Sequence, residues 1–384
     1  MDPVTTAFTL DRKQRAWCAE LRALAADTLR PLADEGAPGR VNRPLVAALG
    51  RHGLLSHVAP ADGPVSAMDL CLLRESLAQE CTEAETALAL QGLGTHPLLR
   101  WGTARQRARW LPEIAAGRVV TAFALSEPDA GSDAAALRLR ADPDPDPGVG
   151  VDVGWRLTGE KCWISNAPEA DLYTVFARTG PAPGALGITA FLVPADRPGL
   201  GGSPLEMLSP HPVGTLVFDG VPVGPDDVVG EVGGGFAVAL GTLDLFRPSV
   251  GAFAVGMARA ALRAAVGHAG ERRAFGGPLK DLQAVSHQLA EMATRTEAAA
   301  LLVLAAAASY DAGEPGVARR SAMAKLFATE TAQYVVDAAV QIHGARALRR
   351  GHLLEHLYRE VRAPRIYEGA TEVQRTIIAK ELYR

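Results

Sequence analysis

From Leu10 to about Gly117, apolar residues recur three and four positions apart, as at Trp17, Leu21 and Leu24, the spacing that lines one face of an α-helix. Turn-forming clusters at Gly36-Ala-Pro-Gly39 and Pro60-Ala-Asp-Gly63 break this stretch into several helices. The texture changes at Val119. Short β-branched and aromatic runs follow, at 119–125, 155–158, 172–176, 188–193 and 215–218, each bounded by Gly, Pro or Asp. Gly159-Glu160 reads as a turn, and the run Asp142-Pro-Asp-Pro-Asp-Pro147, short of backbone donors, as a solvated loop or hairpin tip. Past Gly233-Gly-Gly235 the helical period returns. No proline interrupts residues 279–314, Leu282, Val285, Leu289 and Met292 form one face of a long helix, and a further helix fits Ala318 to about Ile342. The expected organisation is α+β, with an all-α segment at 1–118, a β segment at 119–231, a helical segment at 232–384 and no internal repeat.

The 384 residues are 48% hydrophobic and 21% charged with a net charge of −4. That is a globular composition, unlike a disordered chain, and it gives no electrostatic ground for binding nucleic acid. The longest unbroken apolar run, Ala298 to Ala308, is 11 residues, against roughly 20 for a bilayer-spanning helix, so membrane insertion is not expected. The first residues lack a basic segment followed by an apolar core, and a cytoplasmic location is expected. Cys18, Cys71, Cys81 and Cys162 form no C-x-x-C pair and are read as buried or idle thiols. Only five lysines occur (Lys13, Lys161, Lys280, Lys325, Lys380), so anion contacts are expected to fall to arginine.

Three segments carry candidate chemistry. Ala122-Phe-Ala-Leu-Ser-Glu-Pro-Asp-Ala-Gly-Ser-Asp133 is an apolar strand opening into a loop of small and polar residues, which brings backbone N–H groups and the Ser126 and Ser132 hydroxyls toward a flat or anionic ligand. In Lys161-Cys-Trp-Ile-Ser-Asn166, period-two alternation puts Trp163 and Ser165 on one face, an indole to cover a ring and a hydroxyl to bond its edge. In Arg365-Ile-Tyr-Glu-Gly-Ala-Thr-Glu-Val-Gln-Arg375, Thr371 and Gln374 spell a capping box. A helix should then begin near Glu372, with Glu368 in the loop before it, where a partly dry setting raises a carboxyl pKa toward that of a general base. Each segment taken alone also fits an ordinary turn, a packed Trp or a solvated Glu.

Two other readings were weighed. His352-Leu-Leu-Glu-His356 spells the H-x-x-E-H pattern of inverted zinc peptidases, but only 28 residues follow to supply a third ligand, and no metal site is expected. Neither G-x-G-x-x-G after a strand nor a P-loop motif is present.

In this order the segments resemble the acyl-CoA dehydrogenase family of flavoproteins, from about residue 10 to the C-terminus. Leu125 to Asp133 is similar to the family's flavin and substrate loop, and Gly159 to Asn166 to its second flavin strand. Glu271-Arg-Arg-Ala-Phe-Gly276 is similar to its helix-end motif, and Val340-Gln-Ile-His-Gly344 and Ile366-Tyr-Glu-Gly369 to its two C-terminal signatures. The resemblance implies an N-terminal helical domain, a middle domain like a β-barrel or sandwich, and a C-terminal four-helix bundle.

It also implies bound FAD. Phe123, Leu125, Ser126, Gly131 and Ser132 would line the flavin, Trp163 would cover one isoalloxazine face, and Ser165 would reach toward N5. Arg272, Phe275, Leu282, Gln283, Gln341 and Gly344 would hold the adenosine and pyrophosphate across a subunit interface, with Thr371 and Glu372 completing the cofactor set. Ser132, Asp244, Arg247, Tyr367 and Gly369 would meet the substrate, and Glu368 would remove its α-proton while the β-hydrogen leaves as hydride, giving a trans-2-enoyl thioester. The residue before Arg247, where one branch of the family keeps its base, is Phe246, which takes no proton. The implied partners are an acyl-CoA, an electron-transfer flavoprotein and further copies of the chain in a dimer of dimers.

The chain departs from the family pattern at Gly344-Ala-Arg-Ala-Leu348, where relatives read Gly-Gly-Tyr-Gly-Tyr, and at Ala370, where they carry Thr. Alternatives left open are a dehydrogenase for carrier-protein thioesters, an acyl-CoA oxidase, and a flavin-binding subunit without activity. Acyl chain length is not legible, although Gly92, Gly94 and Thr95 suggest small residues near the pocket.

Overall fold

The computed structural model describes residues 10–144 and 154–383. Helices occupy the N-terminal part, a β-sheet the middle and long helices the C-terminal part, as the periodicity predicts. Two compact units cut across that order: Met1–Arg30, Ser66–Glu85 and Asp244–Arg384 form one, and Pro31–Val65 with Thr86–Leu243 the other.

The first unit is helical. Asp11 and Gln14 form a full capping box at the start of helix Arg12–Leu24, satisfying end donors that have no partner within a helix. At helix Ala67–Ala78, the Asp311 carboxylate accepts from the Ala67 N–H at 2.6 Å and from the Met68 N–H at 3.0 Å, tying helix Gln283–Asp311 to its N-terminus. The long helix Gly235–Glu271 packs close because it carries glycine at contact points. A Cβ on Gly256 would lie 2.5 Å from the Glu75 carbonyl oxygen and 2.6 Å from the Ala78 Cβ. Alanines fill the remaining contacts, Ala299, Ala306, Ala324, Ala328 and Ala332 all being buried. Gly235–Glu271 and Gln283–Asp311 are both long and apolar enough to cross a membrane, which is weak evidence in a helix that serves as protein core.

The sequence pattern places Leu282 on one face of the second helix with Val285, Leu289 and Met292. It instead stands at the N-cap in extended conformation; Val285 and Leu289 are only half-buried, and burial begins at Met292. The following helix runs Val317–His343.

The second unit is built on a sheet in the order β6-β7-β3-β2-β4-β5-β8, with β1 paired in parallel to β4. The strands are β1 (Thr121–Ala124), β2 (Arg140–Pro143), β3 (Trp155–Ser165), β4 (Leu172–Arg178), β5 (Ile188–Pro194), β6 (Leu200–Pro204), β7 (Val213–Val223) and β8 (Val228–Val229). Its core joins sheet residues such as Phe176, Ile188 and Leu192 to helical Leu98, Leu111 and Ile114.

Two sequence expectations fail here. Gly159-Glu160 is not a turn: β3 runs straight through it against β7, and Gly159, at φ +137, absorbs a register shift. Asp142 and Pro143 belong to β2, paired with Arg156 and Trp155, because a proline on the unpaired side of a strand loses no ladder bond. Asp144 donates its N–H to the Gly154 carbonyl at 2.8 Å, and 145–147 lie outside the described residues.

Candidate active site

In the first unit, Glu368 occupies the loop between Pro364 and helix Thr371–Leu382. The capping box expected there does not form. The helix starts at Thr371 with Ala370 at its cap and no side-chain bond to its end donors. Thr371 Oγ1 instead donates to Glu330 at 2.8 Å, and Gln374 Nε2 donates to the carbonyls of Glu368 at 3.3 Å and Gly369 at 2.9 Å. Both side chains are committed away from the helix end, Thr371 to half-buried Glu330 and Gln374 to the carbonyls of the turn. Glu368 sits at φ +50 and Gly369 at φ +94, left-handed conformations that an L-residue such as Glu adopts only at a cost of about 1–3 kcal/mol.

One carboxylate oxygen, Glu368 Oε2, is buried without a hydrogen-bond partner among the described residues. Burial raises the Glu368 pKa from its ordinary value, opposed by the positive charges of Arg74, Lys325 and Arg247 in decreasing order. Arg247 is itself buried; its Nη1 donates to Asp244 at 2.6 Å while Nε has no partner among the described residues. Arg74 pairs with Glu85 and donates to Ser249 Oγ at 2.6 Å. Lys325 Nζ donates to the Tyr367 and Gly369 carbonyls at 2.9 and 2.6 Å.

Neither Arg74 nor Lys325 was singled out in the sequence. The signal was the rarity of lysine. Two of the five, Lys161 and Lys325, are fully buried, Lys161 on a carbonyl and the Glu127 carboxylate and Lys325 on two carbonyls, while most carboxylate contacts among the described residues fall to arginine as expected.

In the second unit, the Phe123 to Ser132 loop and the Lys161 to Asn166 strand meet. The Cys162 N–H donates to the Ser126 carbonyl at 3.1 Å. Lys161 Nζ donates to the Leu125 carbonyl at 2.9 Å and to the Glu127 carboxylate at 2.8 Å, and that carboxylate also accepts from the N–H groups of Arg138 and Leu139. Buried Glu127 is therefore the anchor of the loop.

A bulge between Lys161 and Ile164, with Trp163 at φ +56, turns the indole outward while Lys161 points into the core. Alternation then holds from Trp163 to half-buried Ser165. Ser126 is half-buried, and Gly131 and Ser132 are exposed. Gly94 is taken by packing: a Cβ there would lie 2.7 Å from the Ala122 nitrogen, and Thr95 donates to Gln91 and faces Thr121.

The remaining predicted residues lie elsewhere in the first unit. Arg272, Phe275, Gln283, Gln341, Gly344 and Glu372 are exposed, and Leu282 is half-buried. Thr371 is buried with its hydroxyl committed to Glu330, so it supports the loop rather than meeting a ligand. The two imidazoles of His352-Leu-Leu-Glu-His356 part company: His352 caps its helix through the Leu354 N–H, and His356 meets Thr82 Oγ1 at 2.6 Å.

Each unit carries an exposed aromatic side chain among these residues. Trp163 keeps 47% and Phe275 92% of its surface exposed, both on backbones at positive φ that aim them outward, and a Cβ on Gly131 would meet nothing.

Comparison with known proteins identifies the family. Family models described as the N-terminal, middle and C-terminal domains of acyl-CoA dehydrogenase match residues 11–118, 122–221 and 233–383. The chain is 36% identical over 390 residues to a probable acyl-CoA dehydrogenase, fadE25, of Mycobacterium leprae, covering 100% of this chain and 98% of that protein. It is 36% identical over 346 residues to the mitochondrial short-chain specific acyl-CoA dehydrogenase of Bos taurus, covering 88% of this chain and 82% of that one. The butyryl-CoA dehydrogenase structure from Megasphaera elsdenii superimposes with a TM-score of 0.90 at 30% identity, covering 98% of this chain and 100% of that one. The chain belongs to the acyl-CoA dehydrogenase family and is an FAD-dependent flavin oxidoreductase acting on acyl-CoA.

Proposed function

We propose that Glu368 is the base of this acyl-CoA dehydrogenase. The observation that carries the reading is the buried Oε2, without a hydrogen-bond partner among the described residues, of a carboxyl that feels the charge of three cationic side chains. Oε2 takes the α-proton of the acyl thioester. Burial makes that oxygen a stronger base than a solvated carboxylate, and the positive charges of Arg74, Lys325 and Arg247 oppose the rise. Arg247 orients the substrate side of the site, its unpartnered Nε leaving a donor in hand. Bound FAD supplies the acceptor for the β-hydrogen, which leaves with its electron pair as the α,β double bond forms.

The residues proposed to hold FAD are Phe123, Leu125, Ser126, Gly131, Ser132, Trp163 and Ser165, together with Arg272, Phe275, Leu282, Gln283, Gln341, Gly344 and Glu372. Ser132, Asp244, Tyr367 and Gly369 are proposed to meet the substrate. An electron-transfer flavoprotein as the oxidant, a dimer of dimers, and a cytoplasmic location complete the reading. Exposed Leu301, Leu302, Met323 and Phe327 on the C-terminal helices support assembly, since such a row is costly to leave in water.

The test is anaerobic titration of the yellow protein with a panel of acyl-CoA thioesters. Wild-type protein should bleach, and Glu368→Gln should keep FAD and stay yellow; bleaching of that variant at the wild-type rate would remove Glu368 as the base.

A further inference from the structure

We propose that Lys325 is a positioning residue for the catalytic base, clamping the strained turn that presents Glu368. The inference rests on the reading of Glu368 as the base. Three consecutive carbonyls of the turn, Tyr367, Glu368 and Gly369, are held by two side chains from flanking helices. Lys325 Nζ donates to the first and third at 2.9 and 2.6 Å, and Gln374 Nε2 to the second and third at 3.3 and 2.9 Å. Lys325 thus bridges the residue before the base and the residue after it.

Such a clamp answers a physical need. A glutamate at φ +50 is off its preferred backbone geometry, and a free loop would relax to a conformation that points the carboxylate elsewhere. The lysine stem is fully buried in helix Val317–His343, so the ammonium cannot swing to solvent, and its position is set by the helix. Burying a lysine is expensive unless its donors are met. Here the turn's carbonyls meet them, and Glu368 supplies the balancing charge. Lys325 touches neither reacting atom; it acts by fixing where the carboxylate stands and by keeping positive charge beside it. The other charged groups that bear on Lys325 are Arg247, Glu330 and Glu372. Glu330 is itself engaged by Arg365 and Thr371.

The test reads proton transfer separately from the redox step. FAD-loaded protein is incubated in deuterium oxide with 3,3-dimethylbutanoyl-CoA, which has α-hydrogens but no β-hydrogen to give up, and α-exchange is followed by NMR across pH. Lys325→Met is expected to keep FAD and bind the thioester within about twofold of wild type. Its exchange rate should fall tenfold or more, with the pH midpoint moved upward as the base loses a neighbouring cation. In turnover, the loss should fall on kcat rather than KM. Lys325→Arg, which keeps both charge and donors, should recover the pH midpoint, and Lys325→Gln is read in the same way as Met if the Met variant does not retain FAD. Wild-type exchange and an unmoved midpoint in Lys325→Met, beside abolished exchange in Glu368→Gln, would overturn the clamp alone. Full exchange in Glu368→Gln would instead overturn the base assignment.

Discussion

Replacing Arg74 by methionine tests the electrostatic design around the base most directly. Arg74 and Glu85 pair with side-chain exposures of only 3% and 1%, and Arg74 also donates to Ser249. Methionine fills much of the same volume but leaves the Glu85 carboxylate buried without its cation. Removing one partner of a buried pair costs about 3–5 kcal/mol, where an exposed pair would cost under about 1. The double variant Arg74→Met with Glu85→Gln removes the stranded charge and should recover more than half of that loss. A second effect is separable. Arg74 is the strongest of the three cations that lower the Glu368 pKa, so its loss lets burial raise that pKa further. The pH at which proton abstraction reaches half its maximum should move upward in both variants. The assays are urea denaturation of the FAD-loaded protein followed by circular dichroism, and α-proton exchange against pH. A stability loss below about 1 kcal/mol, or a double variant no more stable than the single, would refute the buried-pair argument.

Gly256→Ala would force its Cβ to 2.5 Å from the Glu75 carbonyl, against backbone that cannot turn aside, so a loss of about 1–3 kcal/mol is expected by urea titration. In the wild-type enzyme, kcat/KM measured from pH 4 to 8 should rise with pH, because the base acts ionised, and the midpoint should lie above the ordinary carboxyl value since burial raises it. A midpoint at or below that ordinary value would show that the base is solvated.

The order of helical and β segments was legible because period 3.6 and period 2 are local properties of the chain. The motif at Glu368 was legible too, but its support was not. Thr371 and Gln374 match a capping box in spacing, and the structure uses both for other bonds, to the Glu330 carboxylate and to the carbonyls of the turn. The Gly159 turn failed similarly: a glycine marks a turn or a bulge alike, and only the pairing of β3 with β7 decides which.

What the sequence alone determined is the class of the protein: the α, β, α order, the loop at Leu125 to Asp133, the strand with Trp163, and a carboxylate ahead of the last helix. The tertiary structure alone decided the environment of that carboxylate. Arg74, Arg247 and Lys325 reach it from positions 294, 121 and 43 residues away in sequence, a convergence that no local spacing encodes. Burial then sets the energetics, turning two of five scattered lysines and two arginines into internal groups whose charge depends on which group they face.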